Sequence, residues 1–215
     1  HLERLLYIST CFVAGDRHGV VYEDELDRGQ GFRNHYEATK FAAEQQVRRR
    51  MARVPAVILR PAVVVGDSQT GEMAKGDSPY FIMGLLLRLP RWVPMIRPGP
   101  CAAPVNMVPV DVLVDAMARL AAHPQALGGT FHLADPNPRS ASWLLDSMIA
   151  AIGRAPAVAT LPQTLVRPLF GRSQVRRLTG VPGELIGYFN HDVRFDVRNT
   201  AELLADSAMR WPDIG

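Results

Sequence analysis

The stretch Val54-Pro-Ala-Val-Ile-Leu-Arg-Pro-Ala-Val-Val-Val65 constrains the fold most. It is almost continuously apolar, rich in β-branched side chains and too short for a core helix, so it reads as a strand buried on both faces. Strands of that kind belong to parallel sheets covered by helices. Pro61 has no N–H to give a central ladder, which predicts that the regular strand ends at about Arg60. Residues 3 to 10, Glu-Arg-Leu-Leu-Tyr-Ile-Ser-Thr, read as an earlier buried strand ending in two hydroxyls. Between the two strands, residues 16 to 33 form a polar, glycine-bearing loop. Strong helix formers then run to about Met51. Strand, helix, strand in this order is the βαβ unit of an α/β protein.

The alternation continues downstream. From Gly66 the chain turns to Gly-Asp-Ser-Gln-Thr-Gly71 and then Lys75-Gly-Asp-Ser-Pro-Tyr80, both rich in turn formers. Residues 80 to 96 are apolar and read as a core helix, with the wall of a pocket for an apolar substrate as the alternative. Val105 to Val108 is a short strand, and Asp111 is placed to cap a helix from Val112 to Ala122. Gly128 to Ala134 is a further strand, in which His132 is a satisfied residue rather than a ligand. Ser140 or Ser142 caps a helix that stops before Gly153. Beyond Pro156, short helical segments broken by Pro162, Pro168, Gly171, Gly180 and Pro182 suggest a small helical lobe. Asn199 or Thr200 starts a last helix through Leu204, and Arg210-Trp-Pro-Asp-Ile reads as the edge of a domain.

Chemistry concentrates in the segment Asn34 to Glu44. Tyr36 and Lys40 are four residues apart, which on a helix puts phenol and ammonium on one face. A cation beside a phenol favours the phenolate and lowers its pKa from a free value of about 10. That provides a proton donor and acceptor usable near neutral pH. The plain alternative is a half-buried tyrosine beside a solvated lysine. Lys40 and Lys75 are the two lysines among 24 basic residues. A chain that otherwise uses arginine thus carries a compact ammonium here, where the two cations are not interchangeable. Ser9 and Thr10 end a strand, where reactive groups gather in open α/β sheets, although such a pair is commonly only a turn former.

Composition excludes several classes of function. The net charge is +3, and the arginines are dispersed apart from Arg48-Arg49-Arg50 and Arg53. Those suit a solvated helix C-terminus. Without an aromatic-rich basic ribbon, no nucleic-acid partner is expected. Cys11 and Cys101 make no disulfide framework, and no Cys/His cluster has metal-ligand spacing. The expectation is a reducing, cytoplasmic setting and no metal. The most apolar stretch, Phe81 to Leu87, is too short to span a bilayer, so no transmembrane segment is expected. The chain starts at His1 and enters an apolar run almost at once, as a piece of a longer gene product would.

Taken in order, these features resemble the extended short-chain dehydrogenase/reductase superfamily. Within it they resemble the thioester-reductase and fatty acyl-CoA reductase branch, the male-sterility type. The match is carried by Ser9-Thr-x-x-Val-Ala-Gly15, Asn34-x-Tyr-x-x-x-Lys-x-x-x-Glu44, Leu59-Arg-Pro-x-x-Val-Val-Gly-Asp-Ser-x-Thr-Gly71 and Asn106-x-Val-Pro-Val-Asp111, with Asp135-Pro-x-Pro138 adding a little. From residue 139 onward the similarity is looser. The resemblance implies the C-terminal part of a Rossmann-type parallel sheet plus a small, mostly helical substrate lobe. Residues 1–138 would hold the later strands and helices of the NAD(P)-binding domain, with a substrate-lobe insertion near 67–104. Residues 139–215 would form the lobe.

The resemblance also implies roles. Tyr36 would protonate the substrate oxygen as a hydride arrives from the nicotinamide, Lys40 would lower the tyrosine pKa and bind the ribose, and Thr10 would orient the carbonyl. Ser9, Pro61, Ala62, Val63 and Val64 would line the nicotinamide side of NADP or NAD, with NADPH favoured. The family's glycine-rich phosphate turn is not found here; Gly180-Val-Pro-Gly183 does not qualify. This half alone should therefore bind cofactor poorly and be inactive. The implied substrate is an apolar carbonyl, chiefly an acyl thioester on coenzyme A or a carrier. Hydroxysteroid dehydrogenases and nucleotide-sugar epimerases or dehydratases use the same Tyr and Lys and remain alternatives, as does a non-catalytic interaction module. Superfamily members often pair through helices beside the sheet, so the resemblance allows a homodimer.

Overall fold

In the computed structural model, residues 2–73, 79–170, 191–205 and 211 are described. β1 (Leu5–Ile8) leads through a 3-10 turn (Cys11–Ala14) and β2 (Gly19–Val21) to α1 (His35–Arg48) and β3 (Ala56–Pro61). β4 (Val63–Val65), α2 (Pro79–Arg88), β5 (Ile96–Pro98), β6 (Met107–Pro109), α3 (Val110–Ala122) and β7 (Thr130–Leu133) follow. The order ends with α4 (Ala141–Ala151), β8 (Ala159–Leu161), α5 (Gln163–Phe170), β9 (Val193–Phe195) and α6 (Arg198–Leu204).

The chain forms two compact units. The first comprises His1–Met73, Asn106–Asn137 and Val193–Gly215, and the second Ala74–Val105 and Pro138–Asp192. In the first, β3 is central in a parallel sheet of order β1-β3-β7, with Tyr7 opposite Ile58 and Leu59 opposite Phe131. All six β3 residues are buried, as the apolar run requires. Val57 and Leu59 point into a core with Leu113, Ala116 and Leu120 of α3, Phe131 and Leu133 of β7, and Leu204 of α6. Each large aliphatic so buried contributes roughly 1.5–3 kcal/mol. The regular strand runs through Pro61, one residue beyond the expected end. Proline is tolerated there because it is the last residue before the chain changes partner: Ala62 N still donates to Leu133 O (3.0 Å), and Val63–Val65 pairs with Met107–Pro109.

α1 starts where its cap dictates. Asn34 Oδ1 accepts from Glu37 N (2.9 Å), and Glu37 Oε2 accepts from Arg33 N (2.9 Å), a reciprocal arrangement close to a capping box. Replacing Asn34 by alanine is expected to cost about 1 kcal/mol in urea unfolding, with Asn34→Asp restoring most of it. Regular helix ends at Arg48, and Met51 to Arg53 lie in tighter turns. Gly15, closing the 3-10 turn, has φ 60°, and a Cβ there would lie 2.1 Å from Gly31 O. Only glycine fits that approach.

Two expected roles change. Asp111 does not cap α3, whose N-cap is Pro109. Its carboxylate instead accepts from Ser68 N (2.9 Å) and Ser68 Oγ (2.6 Å) and ties down the loop after β4. Arg48 is no solvated helix end. It donates to Glu44 Oε1 (3.0 Å), Asp24 O (2.9 Å) and Thr130 Oγ1 (3.1 Å), while Arg49 and Arg50 remain exposed.

In the second unit, α2 covers only the first half of the apolar 80–96 stretch: Leu86 and, beyond the helix, Met95 pack against Leu145 and Ile149 of α4, while Leu87 and Trp92 are exposed. Arg154 donates to Leu86 O, Leu89 O, Pro90 O and Val93 O at 2.6–3.2 Å, satisfying carbonyls left open where α2 ends. Ser140 Oγ accepts from Trp143 N (3.2 Å) and caps α4, as the sequence indicates. The expected features at Lys75 to Ser78, at Gly171, Gly180 and Pro182, and at Arg210 and Pro212 to Ile214 lie outside the described residues.

Candidate active site

The side chains singled out in the first unit gather at the carboxyl end of the parallel sheet. Lys40 Nζ donates to Ile8 O (2.9 Å), the last carbonyl of β1, and lies 5.9 Å from the centre of the Tyr7 ring. Tyr36, one turn earlier on the same face of α1, is 53% exposed, and among the described residues its phenol has no hydrogen-bond partner. Thr10 begins the 3-10 turn that follows β1. Its hydroxyl accepts from Phe12 N (3.3 Å) and donates to Pro61 O over a long 3.4 Å. Pro61 and Ala62 are buried beside it, Val63 is half-buried and Val64 exposed. Ser9 is buried, and its hydroxyl donates to Glu44 Oε2 at 2.5 Å.

Beneath this surface lies a polar network that pattern reading missed. Arg60 is wholly buried and all five of its N–H donors are used. Nε and Nη2 bind the two Glu44 oxygens (3.1 and 2.6 Å), and Nη2 also reaches Glu25 O (2.7 Å). Nη1 donates to Glu23 O (3.3 Å) and to His132 Nε2 (3.1 Å). His132 Nδ1 faces the Asp196 carbonyl (2.7 Å), so the imidazole is the neutral tautomer with its proton on Nδ1. Burial, reinforced by the Arg60 charge, pushes the His132 pKa down to about 3. His132 is thus a satisfied strand residue, as its sequence context suggests.

The two buried carboxylates differ. Burial raises the Glu44 carboxyl, but hydrogen bonds and charge from Arg60, then Ser9 and Arg48, outweigh it and hold the group below the ordinary range. Burial dominates at Glu23 and holds its pKa up, against donors from His132 N (2.9 Å), Thr200 Oγ1 (2.8 Å) and Asn199 N (2.5 Å). Burial also raises the Cys11 thiol, which donates to Arg60 O (2.9 Å) and is not a nucleophile. Two signals for this network were present in the sequence: Glu44 continues the Tyr36–Lys40 spacing by one turn, and Arg60 is a lone charge in an apolar run. Glu23, in a polar loop, carried none.

The residues fit a nicotinamide ribose. A lysine ammonium has three donors; one is spent on Ile8 O, which leaves two further donors, and the exposed Tyr36 phenol is one turn away on the same helix. Among the described residues, no three His, Cys, Asp or Glu side chains converge as a metal site would need.

A parallel, helix-covered α/β sheet with polar side chains gathered at its carboxyl end defines the Rossmann-type class of folds. Residues 1–117, more than half of the chain, match the NAD-binding family described as Male sterility protein, and the chain belongs to that family. Its relatives include a linear gramicidin synthase of Brevibacillus parabrevis, 27% identical over 152 residues (68% of this chain, 3% of that protein). The non-canonical nonribosomal peptide synthetase FrzA of a Cladobotryum species is 30% identical over 149 residues (66% of this chain, 13% of that protein). Among solved structures, the terminal R domain from the myxalamid PKS-NRPS biosynthetic pathway aligns with a TM-score of 0.75 at 24% identity, over 98% of this chain and 54% of that one. UDP-glucuronic acid 4-epimerase from Bacillus cereus, in complex with NAD, aligns with a TM-score of 0.61 at 19% identity, over 96% of this chain and 56% of that one. At these identities the structural likeness shows the fold alone. The chain spans about half of each of these solved chains and a small part of the synthetases.

Proposed function

We propose that this chain is the proton-handling half of an NAD(P)H-dependent reductase of acyl thioesters, coenzyme A-linked or carrier-bound. One observation carries the reading: Lys40 is anchored on the last carbonyl of β1 while Tyr36, one turn away, presents an exposed phenol. The relatives support the substrate class, since they are peptide synthetases and a terminal reductase domain of such a pathway. NADPH is the preferred donor in this reading, and the second unit, with α2 and α4, supplies the substrate-binding lobe.

A bound nicotinamide would supply the hydride. Tyr36 would give its proton to the carbonyl oxygen, and Lys40 would hold the ribose and favour the phenolate left behind. Thr10 would turn its lightly held hydroxyl from Pro61 O to the substrate oxygen, and Pro61 to Val64 would wall the nicotinamide. Collapse of the hemithioacetal so formed breaks the C–S bond, releasing aldehyde and a protonated thiol. In this reading the chain needs a glycine-rich phosphate turn, which these 215 residues do not contain, and is inactive without one. In this reading the reaction is cytoplasmic, a setting in which the thiols of Cys11 and Cys101 stay reduced. Homodimerisation through helices beside the sheet is part of the same proposal.

The test is to express the longer protein containing this chain and follow NADPH oxidation with acyl-CoA and with phosphopantetheinyl thioesters, trapping the aldehyde. Equal moles of aldehyde and oxidised cofactor are expected. A folded protein that binds dinucleotide yet turns over neither thioester would sink the substrate assignment.

A further inference from the structure

Tyr36, Lys40 and Glu44 form one stripe on α1, at i, i+4 and i+8. Lys40 grips Ile8 O, and one turn on, Glu44 accepts from Ser9 Oγ at 2.5 Å, so two successive residues at the end of β1 are held by two successive turns of one helix. A single tether through the flexible Lys40 side chain leaves the helix free to pivot. A second, buried tether one turn away, about 6 Å along the axis, fixes both rotation and translation. The same Glu44 carboxylate is clasped by both arms of Arg60, and the residue after Arg60 is Pro61, whose carbonyl takes the Thr10 hydroxyl. Glu44 therefore joins the three elements that carry the proposed reacting groups.

We propose that Glu44, through Ser9 and Arg60, is a positioning residue that sets Lys40 and Thr10 in register with Tyr36; this rests on the reductase reading above. The buried ion pair itself supports the reading over one of bulk stability. Such pairs add little net stability over apolar residues of similar volume, so what this one supplies is geometry. Ser9, at 3% exposure and committed to Glu44, belongs to this tether.

The experiment uses Ser9→Ala, Ser9→Thr and Glu44→Gln in the longer protein, with two readouts. In steady-state kinetics, Ser9→Ala and Glu44→Gln lower kcat on the order of 10-fold or more while KM for dinucleotide and thioester stays within about 3-fold, since misplaced reacting groups cost rate rather than binding. Ser9→Thr restores the hydroxyl and most of kcat. The second readout needs no activity. Lys40 and Lys75 are the two lysines of this chain, so the ratio of their labelling by an amine-reactive acetylating reagent, read by mass spectrometry, reports how Lys40 is held. That ratio rises at least 2-fold in Ser9→Ala and Glu44→Gln and returns in Ser9→Thr. Unchanged kcat and labelling in folded Ser9→Ala, or in Glu44→Gln should Ser9→Ala not fold, overturns the proposal. A rise in KM for dinucleotide alone also overturns it, making Ser9 a direct cofactor contact. If the unaltered protein turns over no thioester, the reductase reading fails, and the labelling ratio still decides the tether.

Discussion

Tyr36→Phe in the longer protein lowers kcat by about 100-fold or more, the usual loss when a general acid is removed. The folded state should not notice the change. Tyr36 is 53% exposed and its phenol has no hydrogen-bond partner among the described residues, so deleting one hydroxyl removes no buried interaction. Steady-state kinetics beside thermal unfolding separates the two effects: a large fall in kcat with an unchanged melting temperature is expected. A variant as fast as the unaltered protein would mean that the phenol is not the proton donor, whatever the family suggests.

Arg60→Met has the opposite signature, a large loss of stability. It strips Glu44 of its two-armed partner and leaves Glu25 O, Glu23 O and His132 Nε2 without their donor, the last two buried. Removing one member of a buried pair typically costs about 3–5 kcal/mol, because the charge left behind is neither solvated nor paired. Urea unfolding checks it, with Arg119→Met as the control. Arg119 pairs with Asp115 at 2.8 Å, but both side chains are over 40% exposed, and its loss should leave the midpoint in place. The double substitution Glu44→Leu/Arg60→Met should recover part of the stability of Arg60→Met and none of its catalytic rate. That separates what the pair does for folding from what it does for geometry.

The two arginines Arg48 and Arg60 also show where pattern reading stops. Arg48 ends a helix, and the local rule assigns such a cation to solvent and the helix dipole. The fold instead brings Thr130 and the Asp24 carbonyl within its reach. Asp111 precedes the helix expected from Val112, and the local rule makes it a cap; α3 instead starts at Val110, which puts Asp111 in its first turn, where Ser68 donates to it. In each case the hydrogen-bond partner was open until a segment distant in sequence arrived.

What the sequence determined by itself is the part of the protein written in short periods. The apolar run at 54–65, the helix-forming segment before it and the strand at 3–10 specify a parallel βαβ unit, because burial on both faces and a crossover helix leave little else. A four-residue spacing puts Tyr36 and Lys40 on one face for the same local reason. The tertiary structure alone decided what fills the space between sheet and helix. Glu23 takes donors from Asn199 and Thr200, 176 and 177 residues along the chain, and Arg60 takes its acceptors from α1, from β7 and from the loop after β2. No period marks such pairings. A buried charge must be matched by whatever the completed fold places within hydrogen-bonding distance, and that distance exists only once the chain has closed on itself.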